Sequence, residues 1–209
     1  MIQIGKKAPS FTLPDQTGKS VSLTDLAGRW VVLYFYPKDD TPGCTVEACE
    51  FTSALPDFRG LCAEVFGCSA DGAGAHQKFI AKYKLGIGLL TDADKSVMKT
   101  YGAYGKKLMY GKEVEGVIRS TVLIAPDGVV AHHWPKVKAE GHAAEVKAVL
   151  AELQGAGAKG ASAAAAAKAP AKKAATKKPA AKKPAAKASK KVGKKPAKKV
   201  VKKAARKAP

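Results

Sequence analysis

Four cysteines stand at positions 44, 49, 62 and 68 of a 209-residue chain, and their surroundings tell them apart. Cys44 follows the loop Lys38-Asp39-Asp40-Thr41-Pro42-Gly43, which leaves an apolar run, and it opens a segment with helical spacing. A sulfur so placed faces unsatisfied N–H groups and the positive end of a helix dipole, which favours its anion. The thiolate is the nucleophilic form of cysteine, and this is the placement that a thiol attacking a peroxide oxygen needs. Pro37 and Pro42 stiffen the loop, Gly43 lets backbone come close, and Thr41 sets a hydroxyl three residues before the sulfur. Together they fit a small, shaped pocket. Cys68 lies inside an apolar run and Cys62 just before it, so both are expected to be core thiols. His76, His132 and His133 have no ligand spacing with any cysteine or carboxylate pair, so neither metal nor cofactor is expected. Gly72-Ala73-Gly74 lacks the lysine and serine of a phosphate loop and reads as the turn into a helix.

The elements that must hold Cys44 are legible in the periodicity. Trp30-Val31-Val32-Leu33-Tyr34-Phe35 is a continuous apolar, β-rich run ended by Tyr36-Pro37, as expected of a central strand covered on both faces. A helix is predicted over 45–55, limited by Pro56. A second strand over 63–69 and a helix over 75–83 follow, and this strand-helix alternation implies a parallel α/β core. A short helix is predicted near 95–101. Runs at 120–124 and 129–131 then flank Pro126-Asp127-Gly128, a hairpin signal. Residues 11–13 and 21–23 read as an N-terminal hairpin, and 143–153 as a closing amphipathic helix stopped by Gly155 and Gly157. The predicted fold is α/β: a thioredoxin-like layer sandwich with a mixed central sheet and helices on both faces.

Charge divides the chain in two. Residues 1–155 hold 18 Lys and Arg against 17 Asp and Glu, whereas residues 156–209 hold 19 basic side chains and no acidic one. The first part is long enough for one domain with a sizeable core, and its neutral balance points to no polyanion. The second part is almost entirely Lys, Ala and Pro, cannot bury a core, and is expected to be a disordered tail. Its 19 cations would release counterions from a phosphate backbone, so sequence-independent, salt-sensitive nucleic-acid binding is expected there; a merely solubilising extension is the competing reading. No apolar run reaches the roughly 18 residues of a membrane span. Four sparse cysteines do not make a disulfide scaffold, so a cytoplasmic home is expected, near the nucleoid if the tail binds DNA.

Tyr36-Pro37-Lys38-Asp39-Asp40-Thr41-Pro42-Gly43-Cys44-Thr45-Val46-Glu47-Ala48-Cys49 resembles the active-site segment of peroxiredoxins. The run from Cys44 to Phe51 is similar to the subfamily called bacterioferritin comigratory protein or peroxiredoxin Q. The likeness extends from about residue 5 to 153, through Ile4 to Phe11 and Arg119 to Ile124, and leaves out the tail; it is joined there by a likeness to the lysine-, alanine- and proline-rich tails of linker histones. By position the resemblance implies Cys44 as peroxidatic cysteine, Thr41 bonding the peroxide, Pro37 shielding the pocket and Arg119 beside the sulfur. An arginine suits that place because it keeps its charge, stabilises a thiolate and donates to peroxide oxygens. Glu47 is expected to orient Arg119.

Oxidised Cys44 would be a sulfenic acid, which further peroxide drives to irreversible forms unless a second thiol condenses with it. Cys49 is the expected resolver, with thioredoxin or a similar dithiol as the reductant and a hydroperoxide as the substrate. Five residues along an intact helix separate two Cα atoms by about 8 to 9 Å, beyond the roughly 7 Å limit for a disulfide. The start of that helix is therefore expected to unwind on oxidation. A monomer is expected. The alternative to an enzyme is a nucleic-acid-binding protein whose thioredoxin-like domain senses redox state.

Overall fold

The computed structural model describes residues 2–109 and 112–157, so the tail expected over 156–209 lies, from residue 158 on, outside the described residues. A short hairpin comes first, β1 (Thr12–Pro14) against β2 (Ser20–Ser22), followed by a 3-10 turn at Leu23–Leu26 that Ser22 and Asp25 cap reciprocally. Then come β3 (Trp30–Phe35), α1 (Pro42–Ser53), α2 (Leu55–Gly60), β4 (Ala63–Ser69), α3 (Ala73–Tyr83), β5 (Gly88–Thr91) and α4 (Ser96–Thr100). A two-stranded ribbon, β6 (Tyr104–Met109) with β7 (Lys112–Val117), leads to β8 (Ser120–Ile124), β9 (Val130–Trp134) and α5 (His142–Gly157).

The central sheet has the order β5-β4-β3-β8-β9. Strands β3, β4 and β5 run parallel, while β8 is antiparallel to both β3 and β9, so the sheet is mixed as expected. Its middle strand β3 is buried from Val31 to Phe35, and the pleat sends alternate side chains to opposite faces. Val32 and Tyr34 join a core with Cys44, Ala48 and Phe51 of α1, Phe58 of α2, Phe79 of α3, and Val146 and Leu150 of α5. Val31, Leu33 and Phe35 join the other core, with Phe11, Leu13, and Met98 of α4. This is the thioredoxin-like sandwich.

Several expectations shift in detail. Pro56 does not simply end the first helix; it sits in the first turn of α2, where its missing N–H costs nothing. Helix α5 runs through Gly155 to Gly157 instead of stopping at 153, because an interior glycine weakens a helix by only about 1 kcal/mol and does not forbid it. Cys62 is not a core thiol. It is exposed, at φ 51° in the turn between α2 and β4, whereas Cys68 is fully buried as expected. The ribbon at 104–117 had no element assigned to it from the sequence, because its residues are largely charged or glycine. No helix of the described residues is long and apolar enough to cross a membrane.

One close approach tests the packing directly. Gly67 of β4 lies opposite Tyr34, and a β-carbon there would come within 2.6 Å of the Tyr34 hydroxyl oxygen and 3.0 Å of Leu89 Cδ2. The Tyr34 ring cannot swing away, since it stacks on Phe51 at 4.8 Å and on Tyr36 at 5.5 Å. Gly67→Ala is expected to cost about 1–3 kcal/mol in urea unfolding through overpacking. An unchanged midpoint would contradict this packing.

Candidate active site

Cys44 occupies the first turn of α1, after Thr41 at the cap position and Pro42 and Gly43 at the first two helical positions. Pro42 is suited to that place because its fixed φ is already helical and its absent N–H has no partner to lose. The thiol is buried, and so is Glu47, one turn further along the same helix. The first intrahelical bond runs from Thr45 N–H to the Thr41 carbonyl at 2.9 Å, so the N–H groups before Thr45 precede the helical ladder.

Arg119 arrives from far along the chain. Strands β3 and β8 are antiparallel neighbours with Phe35 opposite Ser120, so the loop leaving β3 and the residue preceding β8 meet at one end of the sheet. From there Arg119 Nη2 donates to Cys44 Sγ at 3.2 Å, and Nη1 donates to Glu47 Oε2. Gly43 makes room: a β-carbon there would stand 3.4 Å from Arg119 Nη2. The Thr41 hydroxyl donates to the Lys38 carbonyl at 3.1 Å, half-buried at the start of the helix. Pro37 is exposed and lines, with Arg119, Val117, Ile118, Val137, Lys106 and Lys136, a concavity of about 510 Å³. Five of the six sequence-predicted site residues, Pro37, Thr41, Cys44, Glu47 and Arg119, thus gather at one end of β3.

Cys49 is placed differently. It is half-buried and lines a groove of about 820 Å³ between α1 and α5, with Val46, Ala143 and Ala144. All four cysteines are free thiols in this structure. Among the described residues no group of three or more His, Cys, Asp or Glu is placed to hold a metal ion. Two residues that sequence reasoning passed over also belong to the neighbourhood. Asp39 and Asp40 of the loop engage α3 through His76, Lys82 and Tyr83. A pair of aspartates ahead of Cys44 was a visible signal for loop anchoring, but their partners lie 37 to 43 residues away.

Glu47 carries the least expected electrostatics. Burial pushes its carboxyl up to about 7, against the pull of Arg119, and its Oε1 has no hydrogen-bond partner among the described residues. A carboxyl whose native value lies above the ordinary 4.5 holds its proton more tightly when folded, so stability falls as pH rises from about 4.5 to about 7. Gln at this position keeps an acceptor for Arg119 and has no proton to lose. Between pH 5 and 8 the wild type is expected to lose on the order of 2 kcal/mol of unfolding free energy relative to Glu47→Gln. His142, held below its ordinary value by burial, works in the opposite sense but is common to both proteins. Parallel pH profiles would refute the assignment.

Comparison with known proteins agrees with this geometry. The AhpC/TSA family matches residues 4–133. Peroxiredoxin Bcp of Bacillus subtilis is 41% identical over 152 residues, 73% of this chain and 97% of that protein. Peroxiredoxin Bcp of Escherichia coli is 38% identical over 141 residues, 68% of this chain and 90% of that protein. Among solved structures, peroxiredoxin Q of Xanthomonas campestris superposes with a TM-score of 0.65 at 41% identity, covering 68% of this chain and 90% of the other. A cysteine variant of PrxQ from Xylella fastidiosa gives 0.68 at 36% identity, covering 75% and 98%. A buried thiol at a helix start with a guanidinium on its sulfur, in a chain with these relatives, leads to one conclusion: the protein belongs to the AhpC/TSA family as a peroxiredoxin of the Bcp/PrxQ kind, a thiol-dependent peroxidase.

Proposed function

We propose that Cys44 is the peroxidatic cysteine, Cys49 its resolving partner, and thioredoxin or a similar dithiol the reductant. The observation that carries the reading is the hydrogen bond from Arg119 Nη2 to Cys44 Sγ at 3.2 Å, with the other edge of the guanidinium held by Glu47. A fixed cation donating to the sulfur favours the thiolate, which attacks the distal oxygen of a hydroperoxide. The O–O bond breaks, Cys44 becomes a sulfenic acid, and the departing oxygen takes a proton to leave as water or alcohol. Arg119 stabilises the charge that develops on that oxygen, Thr41 bonds the bound peroxide, and Pro37 shields the pocket from its rim.

In the second step the Cys49 thiolate attacks the sulfenic sulfur, a disulfide forms, and water is lost. The two cysteines share helix α1 but face different surroundings, Cys44 toward Arg119 and Cys49 toward the α1–α5 groove, which supports unwinding of the helix start before they meet. A dithiol then reduces the bond and restores both thiols. Cys44→Ser is expected to abolish peroxide consumption in an assay coupled to thioredoxin and its reductase. Cys49→Ser is expected to consume about one equivalent of peroxide and then stop, with Cys44 oxidised beyond the sulfenic state by mass spectrometry. Sustained turnover in either variant would overturn the assignment. Arg119→Met is expected to slow the first step on the order of 100-fold.

The reading divides the chain into a monomeric peroxidase domain over 1–155 and a basic tail over 156–209 that binds nucleic acid without regard to sequence, in the reducing cytoplasm. Two facts support the division: 19 cations with no acidic residue over 156–209, and relatives that match 90 to 97% of their own length over no more than 73% of this chain. Full-length protein is expected to shift duplex DNA at low salt and to lose that affinity steeply as salt rises, while a chain ending at Gly155 does not shift it. Equal binding by the two would remove the tail from the proposal.

A further inference from the structure

The loop that delivers Cys44 is tied down from a side that the chemistry does not touch. Asp39 is buried; its Oδ1 accepts from the Tyr36 hydroxyl at 2.7 Å, and its Oδ2 lies 2.8 Å from Nδ1 of the fully buried His76. The Asp39 N–H donates to Asp71 Oδ2 at 2.8 Å. Asp40, the next residue, sits at φ 55°, a conformation that a residue with a β-carbon adopts only at a cost. Both its carboxylate oxygens accept from Lys82 Nζ, at 2.8 and 2.7 Å, and Oδ1 also accepts from the Tyr83 hydroxyl at 2.6 Å. His76, Lys82 and Tyr83 all belong to α3, and none of the three hydrogen-bonds the Cys44 sulfur, whose partner is Arg119.

We propose that the Asp39–His76 and Asp40–Lys82/Tyr83 contacts form a clamp that holds the loop and first turn of α1 in the peroxide-reactive arrangement, and so sets how oxidised Cys44 divides between disulfide and over-oxidation. The inference rests on the reading of Cys49 as resolving cysteine. Cys44 reaches Cys49 only if the first turn of α1 unwinds, and the loop immediately before that turn is the segment that must move. While the clamp holds, sulfenic Cys44 stays beside Arg119, where the next hydroperoxide lands. That peroxide gives up an oxygen to the sulfur, its O–O bond breaks, and a sulfinic acid and an alcohol result. When the clamp releases, the strained backbone at Asp40 relaxes, and the Cys49 thiolate displaces hydroxide from the sulfenic sulfur to form the disulfide and water. His76, Lys82 and Tyr83 are positioning residues; none touches the reacting atoms.

The half-exposed arm of the clamp can be cut without emptying the core. In the full-length protein, Lys82→Met with Tyr83→Phe removes all three bonds to Asp40, and Lys82→Arg keeps the cationic donor. Quenched-flow mass spectrometry during peroxide treatment reads sulfenic, sulfinic and disulfide forms together. The double variant is expected to form the Cys44–Cys49 disulfide about threefold faster, and to show a sulfinic share about threefold smaller, while its first reaction with peroxide is no faster than wild type. Lys82→Arg is expected to behave as wild type. A fold loosened throughout also slows the first step, so faster disulfide formation with the first step retained identifies a clamp. Asp40→Asn, which weakens the same bonds from the loop side, should reproduce the shift in direction. An unchanged partition in both variants, with the Cys44–Cys49 disulfide present, overturns the clamp alone. Absence of that disulfide in peroxide-treated wild type overturns the reading of Cys49 and the clamp with it.

Discussion

A guanidinium drawn from 75 residues away lies on the sulfur of Cys44 and on the carboxylate of Glu47, and the rest of the architecture exists around that three-way contact. Two features meet at the sulfur of Cys44, and interactions of their kinds differ in size. A helix terminus contributes about 0.3–1 kcal/mol in exposed settings, whereas a hydrogen bond to a charged group contributes about 1.5–3 kcal/mol. The Arg119 contact is therefore the stronger of the two kinds of interaction. Burying the guanidinium has its own cost, and Glu47 offsets part of it by offering an acceptor in a place that water does not reach. The raised carboxyl of Glu47 records that cost: a charge held inside the protein by another charge, under desolvation that works against both.

Sheet topology makes the contact possible. Because β8 runs antiparallel to β3, the end of one strand and the start of the other coincide, and a residue just before β8 faces a loop just after β3. The parallel neighbour β4 leads by a different route to α3, which supports the same loop from its far side through Asp39 and Asp40. The loop is thus held between two elements that belong to different parts of the chain. Rigidity of this kind matters for a nucleophile that must present its sulfur at a fixed distance from a donor. Cys49 sits on the same helix but lines the groove between α1 and α5.

The curated relatives match 68 to 73% of this chain, which also carries a segment of concentrated positive charge over 156–209. Residues 1–155 are nearly neutral in net charge, whereas the charged side chains of residues 156–209 are all basic.

Much was readable before any coordinates. The continuous apolar run over 30–35 announced a strand buried on both faces, Asp127-Gly128 announced a hairpin, and the proline-flanked loop before Cys44 announced a cysteine at a helix start, because each rests on local backbone chemistry. Side chains distant in sequence were not readable that way. The ionisation state of Glu47 depends on how deeply α1 packs, the tie of Asp39 and Asp40 depends on where α3 lands, and the exposure of Cys62 depends on a turn at positive φ that its apolar neighbours gave no reason to expect. Composition and spacing by themselves determined that this protein has a cysteine at the start of a helix and a separate polycationic segment. Only the tertiary structure decided which charges surround the sulfur and what restrains its loop, because burial and long-range hydrogen bonds depend on distances that sequence order does not contain.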